Sequence, residues 1–141
     1  MAERPRFHLA LPVDDLAAAE AFYVEILGAE VGRVGDTWID LAFWDHQLTV
    51  HLIPGSAPST HVTHPVDHDE IPVRHFGVIL PRGDWEALAQ RLAEARLPFL
   101  LEPRIRFEGE IGEQATLFVQ DPAGNALEFK SFRDPSQVFA R

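Results

Sequence analysis

The sequence predicts an α+β fold made of two βαβββ repeats, their strands forming a cupped mixed sheet with the helices outside. Three observations predict it. A strand, a helix and three further strands can be read twice in the same order. The two opening strands, "RFHLALPV" and "VRHFGVIL", each set one histidine among apolar residues. Between the copies, "PGSAPSTHVTHPVDHDEIP" is dense in Pro, Ser, Thr and His, as a linker is. The expected boundaries are repeat one at 5–53, linker 54–72, repeat two 73–133 and a tail 134–141, all in one domain.

In "RFHLALPV", Phe7, Leu9 and Leu11 alternate with His8, Ala10 and Pro12, which makes a strand with one apolar face. Asp14 or Asp15 caps the next helix, whose stripe is Leu16, Ala19, Phe22, Tyr23, Ile26 and Leu27, and Gly28 ends it. "AEVGRVG", "TWIDLAFW" and "HQLTVHLI" are the three strands that follow. In the second copy Val73, His75 and Gly77 lie on one face of the opening strand, with Phe76, Val78 and Leu80 on the other. Gly83-Asp84 is the expected cap, and Trp85, Leu88, Ala89 and Leu92 form the helix stripe. "LPFLLEPRIRFEG", "EQATLFVQ" and "NALEFKSF" complete the repeat, with "DPAGN" as a hairpin turn.

At 141 residues, 46 % apolar and 24 % charged, the chain has the size and composition of an ordinary globular domain with its own core. The absence of cysteine excludes disulfides, zinc fingers, iron–sulfur clusters and thiol nucleophiles, so any metal must be held by nitrogen and oxygen. A net charge of −10 argues against nucleic acid and anionic membranes as partners. No apolar run spans a bilayer, and Pro12 with Asp14-Asp15 interrupts any signal-like stretch, so the expectation is a cytoplasmic protein.

Leu48, Val50 and Leu52 face the core in the last strand of repeat one, leaving Gln47, Thr49 and His51 opposite. Leu127 and Phe129 do so in the last strand of repeat two, leaving Ala126, Glu128 and Lys130. His8, His51, His75 and Glu128 therefore all point away from the helices. Buried imidazoles and carboxylates are costly unless paired or metal-bound. Two histidines and one glutamate from three strands are the ingredients of a facial triad, which leaves positions on Fe(II) open for substrate and dioxygen; Mn, Zn, Ni and Co also suit such donors. Trp38, Thr49 and Lys130 are candidate substrate-pocket residues, and Trp38 shares its face with Asp40. Arg104, Arg106 and Lys130 either meet an anionic substrate or pair with Glu102, Glu108 and Glu110; the second is the commoner arrangement. His61, His64 and His68, with Asp67 and Asp69, are read as a solvated loop rather than a second metal cluster.

With "FHLALPVDDLAAAEAFYVEILG" and "FVQDPAGNALEFK", these features resemble the vicinal oxygen chelate superfamily of glyoxalases, bleomycin resistance proteins and extradiol dioxygenases, from about Phe7 to Phe132. "DTWIDLAFWDHQLTVHL", "PVRHFGVIL" and "DPSQVFAR" are similar to its small single-domain extradiol-type members. The resemblance implies a central metal site with His8, His75 and Glu128 as ligands and Fe(II) as the first choice of metal. It implies His51 as the non-ligand histidine that moves protons and steers dioxygen, a catechol-like substrate with two vicinal oxygens, and a homodimer. The tyrosine such dioxygenases often carry before the Asp-Pro turn is absent, since Phe118 and Val119 stand there. A glyoxalase-type isomerase would need a carboxylate where Thr49 stands, and a fosfomycin-type transferase a threonine where Ala10 stands. A metal-free drug-binding module has no need of three ligands.

Overall fold

A computed structural model describes residues 3–56 and 62–141, so His61 lies outside the described residues. The chain divides into two compact units, the first made of repeat one together with the turn Asp121–Asn125. In it, β1 (His8–Val13), α1 (Leu16–Glu20), a π-helical turn (Ala21–Ile26), β2 (Glu30–Val34), β3 (Trp38–Phe43) and β4 (His46–Leu52) follow in order. The strands form one sheet in the order β1-β4-β3-β2, with β1 parallel to β4 and the other pairs antiparallel. Pro12 is tolerated because β1 is an edge strand, where a missing N–H breaks no inner ladder.

The Asp15 carboxylate accepts the Ala18 N–H at 2.9 Å, and so caps α1. Gly28 takes φ +81°, the left-handed conformation that ends a helix. Between them the helix departs from the regular period the stripe predicts. Leu27 N–H reaches back five residues to the Phe22 carbonyl at 3.1 Å, and with this wider turn Phe22, Tyr23 and Leu27 are all buried. The Tyr23 hydroxyl donates to Asp121 Oδ2 at 2.7 Å. Asp121 also accepts from the Ala123 and Asn125 N–H groups and from the Asn125 amide, which in turn reaches the Pro12 carbonyl. Burial, then the charge and hydrogen bond of Asp121, push the Tyr23 phenol well above its ordinary value, so it stays a donor.

The second unit contains β5 (Thr63–Val66), β6 (Asp69–Pro72), β7 (Phe76–Ile79), α2 (Arg82–Glu94), β8 (Phe99–Arg106), β9 (Gln114–Gln120), β10 (Ala126–Phe132) and a 3₁₀ turn (Pro135–Gln137). Its main sheet runs β7-β10-β9-β8, with β7 parallel to β10, which repeats the connectivity of the first. Trp85, Leu88 and Leu92 are the buried side of α2, each stabilising the unit by roughly 2 kcal/mol. The Trp85 indole N–H donates to the Phe129 carbonyl at 2.9 Å, tying α2 to β10.

Several expectations are corrected. The expected linker is partly a hairpin: β5 and β6 pair antiparallel around Asp67 and His68, both at positive φ. Its apolar members were hidden by the Pro- and His-rich composition. Ile71 packs with Leu101 and Phe118, and Val66 and Leu100 lie against that cluster. Arg104 and Arg106 pair with Asp67 and Asp69 at 3.4–3.9 Å, rather than with Glu102, Glu108 and Glu110. The strand expected over 73–80 begins at Phe76, so His75 stands just before it. α2 starts at Arg82 with Pro81 at its N-cap, ahead of the expected Gly83-Asp84. No helix among the described residues is long and apolar enough to cross a membrane.

Candidate metal centre

Strand register makes the repeat explicit at the level of single residues. β7 sets Gly77 opposite Glu128 on β10, and β1 sets Ala10 opposite Thr49 on β4. His8 stands two residues before Ala10 in β1, hence on the same face, and His75 two residues before Gly77, just ahead of β7 and on the side of Glu128. On the other side, Glu128 and Lys130 face Phe118 and Thr116 on β9, while Thr49 and His51 face Asp40 and Trp38 on β3. Thr49 is thus the counterpart of Glu128, and His51 of Lys130.

In the second unit His75 and Glu128 come together. His75 Nδ1 lies 2.7 Å from the Pro72 carbonyl, which can only accept, so Nδ1 carries a hydrogen. Its other nitrogen, Nε2, is 3.4 Å from Glu128 Oε1, with the two side chains 28 % and 16 % exposed. Thr116 donates its hydroxyl to Glu128 Oε2 at 2.7 Å, leaving Oε1 as the available oxygen. The Phe118 ring stands edge-on to the imidazole with centroids 5.0 Å apart, an apolar wall without the tyrosine hydroxyl. With His75 neutral, two lone pairs would face each other, so a positive centre belongs there. In metal-free protein that centre is a proton; the donor set, an imidazole oriented by a carbonyl and a carboxylate oriented by a hydroxyl, equally fits a divalent cation. Among the described residues no three His, Asp or Glu side chains converge as a metal-holding cluster.

The hydrogen bond to Glu128 is the main cause that raises the His75 pKa above 6.5. Burial pushes the Glu128 carboxyl up, but the hydrogen bonds from His75 and Thr116 and the charge of Lys130 outweigh it and lower it below 4.5. In metal-free protein the His75 contribution to stability is complete below pH 6.5 and is lost as pH rises through the raised value. The Glu128 contribution is complete above pH 4.5 and is lost as pH falls through the lowered value. Urea unfolding of the metal-free protein should therefore show a loss on the order of 1 kcal/mol from pH 5.5 to 9 that Glu128→Gln does not show.

In the first unit His8 and His51 are both exposed on the open face of the sheet. His8 pairs in register with Gln47 and His51 with Pro12, four residues along, or about 13 Å at the rise of a strand. A substrate spans such a distance; a shared metal ion does not. Half-buried Trp38 is the cross-strand neighbour of His51, with the Arg33 guanidinium 5.7 Å from its ring centre. Buried Thr49 donates its hydroxyl to the Asp40 carboxylate at 2.6 Å, and Asp40 also meets Arg33 at 3.6 Å. Thr116 and the Pro72 carbonyl take part in these contacts without having been singled out in the sequence, and Asp40 stands out there only as sharing the face of Trp38. Only cross-strand register, applied to alternating faces, could have found Thr116 and the partner of Asp40.

The family model of the Glyoxalase/Bleomycin resistance protein/Dioxygenase superfamily matches residues 7–129. Among solved structures, a glyoxalase/bleomycin resistance protein/dioxygenase from Alicyclobacillus acidocaldarius is 33 % identical, with 96 % of each chain covered and a TM-score of 0.81. A lactoylglutathione lyase from Agrobacterium tumefaciens (19 % identity, 93 % and 96 % covered, TM-score 0.62) has a similar fold. So has a fosfomycin resistance protein from Listeria monocytogenes (15 %, 92 % and 94 %, 0.69). No curated protein matches the sequence. The duplicated βαβββ connectivity and a family match over most of its length place this chain in the Glyoxalase/Bleomycin resistance protein/Dioxygenase superfamily.

Proposed function

We propose that this chain is a metal-dependent oxidoreductase, an Fe(II) extradiol-type dioxygenase that opens a catechol-like ring, with His8, His75 and Glu128 as ligands. One observation carries this: His75 Nε2 and Glu128 Oε1, each oriented by a hydrogen bond on its far side, face each other at 3.4 Å. His8 is the third ligand by its equivalence with His75 in the repeat. These residues would hold a divalent ion, which would supply Lewis acidity and, as Fe(II), one-electron chemistry. His51 accepts the proton of a substrate hydroxyl and returns it later, roles that imidazole chemistry suits. Trp38 provides an apolar wall beside it, Thr49 holds Asp40 in place, and Lys130 faces the substrate from β10.

A second reading, a four-ligand isomerase, is favoured by Asp40. Thr49 lacks the carboxylate that reading requires, but Asp40 puts one beside it from the neighbouring strand. The test is oxygen uptake by anaerobically prepared, iron-loaded protein over a panel of catechols, with His75→Ala alongside. Uptake that disappears in the variant supports the dioxygenase. Iron bound without uptake on any catechol overturns it, and a metal affinity that falls in Asp40→Asn then favours the isomerase.

A further inference from the structure

We propose that Lys130 anchors a carboxylate on the substrate, so that the ligand of this site is a vicinal-oxygen compound that also carries an anionic arm. Lys130 is the only lysine among twelve basic side chains, in a chain with 22 Asp and Glu. Among the described residues it forms no ion pair, although every arginine near it on this face does. Its cross-strand partner is Thr116, whose hydroxyl is committed to Glu128. Thr116 is in turn the partner of Arg104 on β8, which Asp67 and Asp69 neutralise. In the row Lys130, Thr116, Arg104, Lys130 is thus the cation with no carboxylate at ion-pair distance among the described residues.

That cation lies close to the candidate ligands. Lys130 is two residues beyond Glu128 on β10 and on the same face. The ammonium lies 5.9 Å from the Phe132 ring centre, and the residue is half-buried. Positions two apart on a strand are separated by about 7 Å, comparable to the span across one six-membered ring. A substrate ring whose adjacent oxygens lie at Glu128 therefore brings a carboxylate on its far side to Lys130. The carboxylate nearest to it along β10, Glu128, is engaged by His75 and Thr116, which leaves the ammonium able to donate a direct charge-assisted hydrogen bond to an added anion's oxygen.

The inference deepens the metal reading and rests on it for the position of the two oxygens, but the anion contact can be measured without metal. Reductive methylation with ¹³C-formaldehyde retains the charge and labels only Lys130 and the N-terminal amine. Titrating metal-free labelled protein with benzoate should move the Lys130 signal saturably and leave the N-terminal one in place. No movement, or equal movement of both, overturns the proposal. In metal-loaded protein 3,4-dihydroxybenzoate should bind about tenfold more tightly than catechol, a preference lost in Lys130→Gln and kept in Lys130→Arg. A preference that survives Lys130→Gln also overturns it. If no metal loads, the metal reading fails by itself, and the benzoate titration still decides the anion contact.

Discussion

Protein purified anaerobically without a histidine tag should carry near-stoichiometric divalent metal, and His75→Ala or Glu128→Ala should each weaken that binding at least about a hundredfold. The magnitude follows from what each change removes. His75 presents Nε2 because the Pro72 carbonyl fixes the opposite nitrogen, and Glu128 presents Oε1 because Thr116 holds Oε2. Removing either donor leaves the other without the group it faces at 3.4 Å. Thr116→Val keeps both donors but frees the carboxylate to rotate, so its expected loss is smaller, about tenfold to a hundredfold. Elemental analysis and competition with a chelator measure all three, and a thermal melt of each variant checks that it folds. Because the metal requires unprotonated Nε2, affinity should rise with pH until His75 is neutral in the free protein. Full metal content in Glu128→Ala would remove this residue from the site. The metal found also matters: iron or manganese suits oxygen chemistry, whereas zinc or nickel points to isomerase or transferase reactions.

Gly77→Ala should destabilise the protein by about 3 kcal/mol or more, the upper end of the cost of overpacking. A Cβ at residue 77 falls on the backbone carbonyl of Glu128, its partner in the β7–β10 ladder. A flexible side chain could swing aside, but a strand backbone cannot without breaking the pairing. Either β7 separates from β10 or Glu128 moves, so the same change should also weaken metal binding. Gly83→Ala is the matched control: in α2, with nothing within 4 Å of an added Cβ, it should be neutral or slightly stabilising. The midpoints of urea unfolding compare the two. A Gly77→Ala protein as stable as the wild type would mean that β7 and β10 are not paired in this register.

Much of the fold was legible because it is written in local periodicity. The alternation of Leu9 and Leu11 with His8 and Ala10, and of Leu127 and Phe129 with Glu128 and Lys130, assigned faces that the strand register retains. The Asp15 cap and Gly28 are likewise local, each depending on a few neighbouring backbone groups. Less of the candidate site could be read this way. His75 and Glu128 could be placed on one face, but their contact required β7 to lie parallel to β10 in one register, across some fifty residues of chain.

The same limit explains the corrections. The β5–β6 hairpin looked like a linker because buried Ile71 and half-buried Val66 find their partners on β8 and β9, far along the chain. The π-helical turn breaks an otherwise regular stripe, with both Phe22 and Tyr23 buried and Tyr23 bonded to Asp121, 98 residues away. By itself the sequence determined the duplicated order of elements, the apolar face of each strand and the absence of any thiol ligand, since these depend on composition and side-chain period. Only the tertiary structure decided which polar groups meet: His75 with Glu128, Thr116 with Glu128, Thr49 with Asp40, and no ion pair for Lys130 among the described residues. Those pairings are set by cross-strand register, which depends on how distant segments pack rather than on any local run of residues.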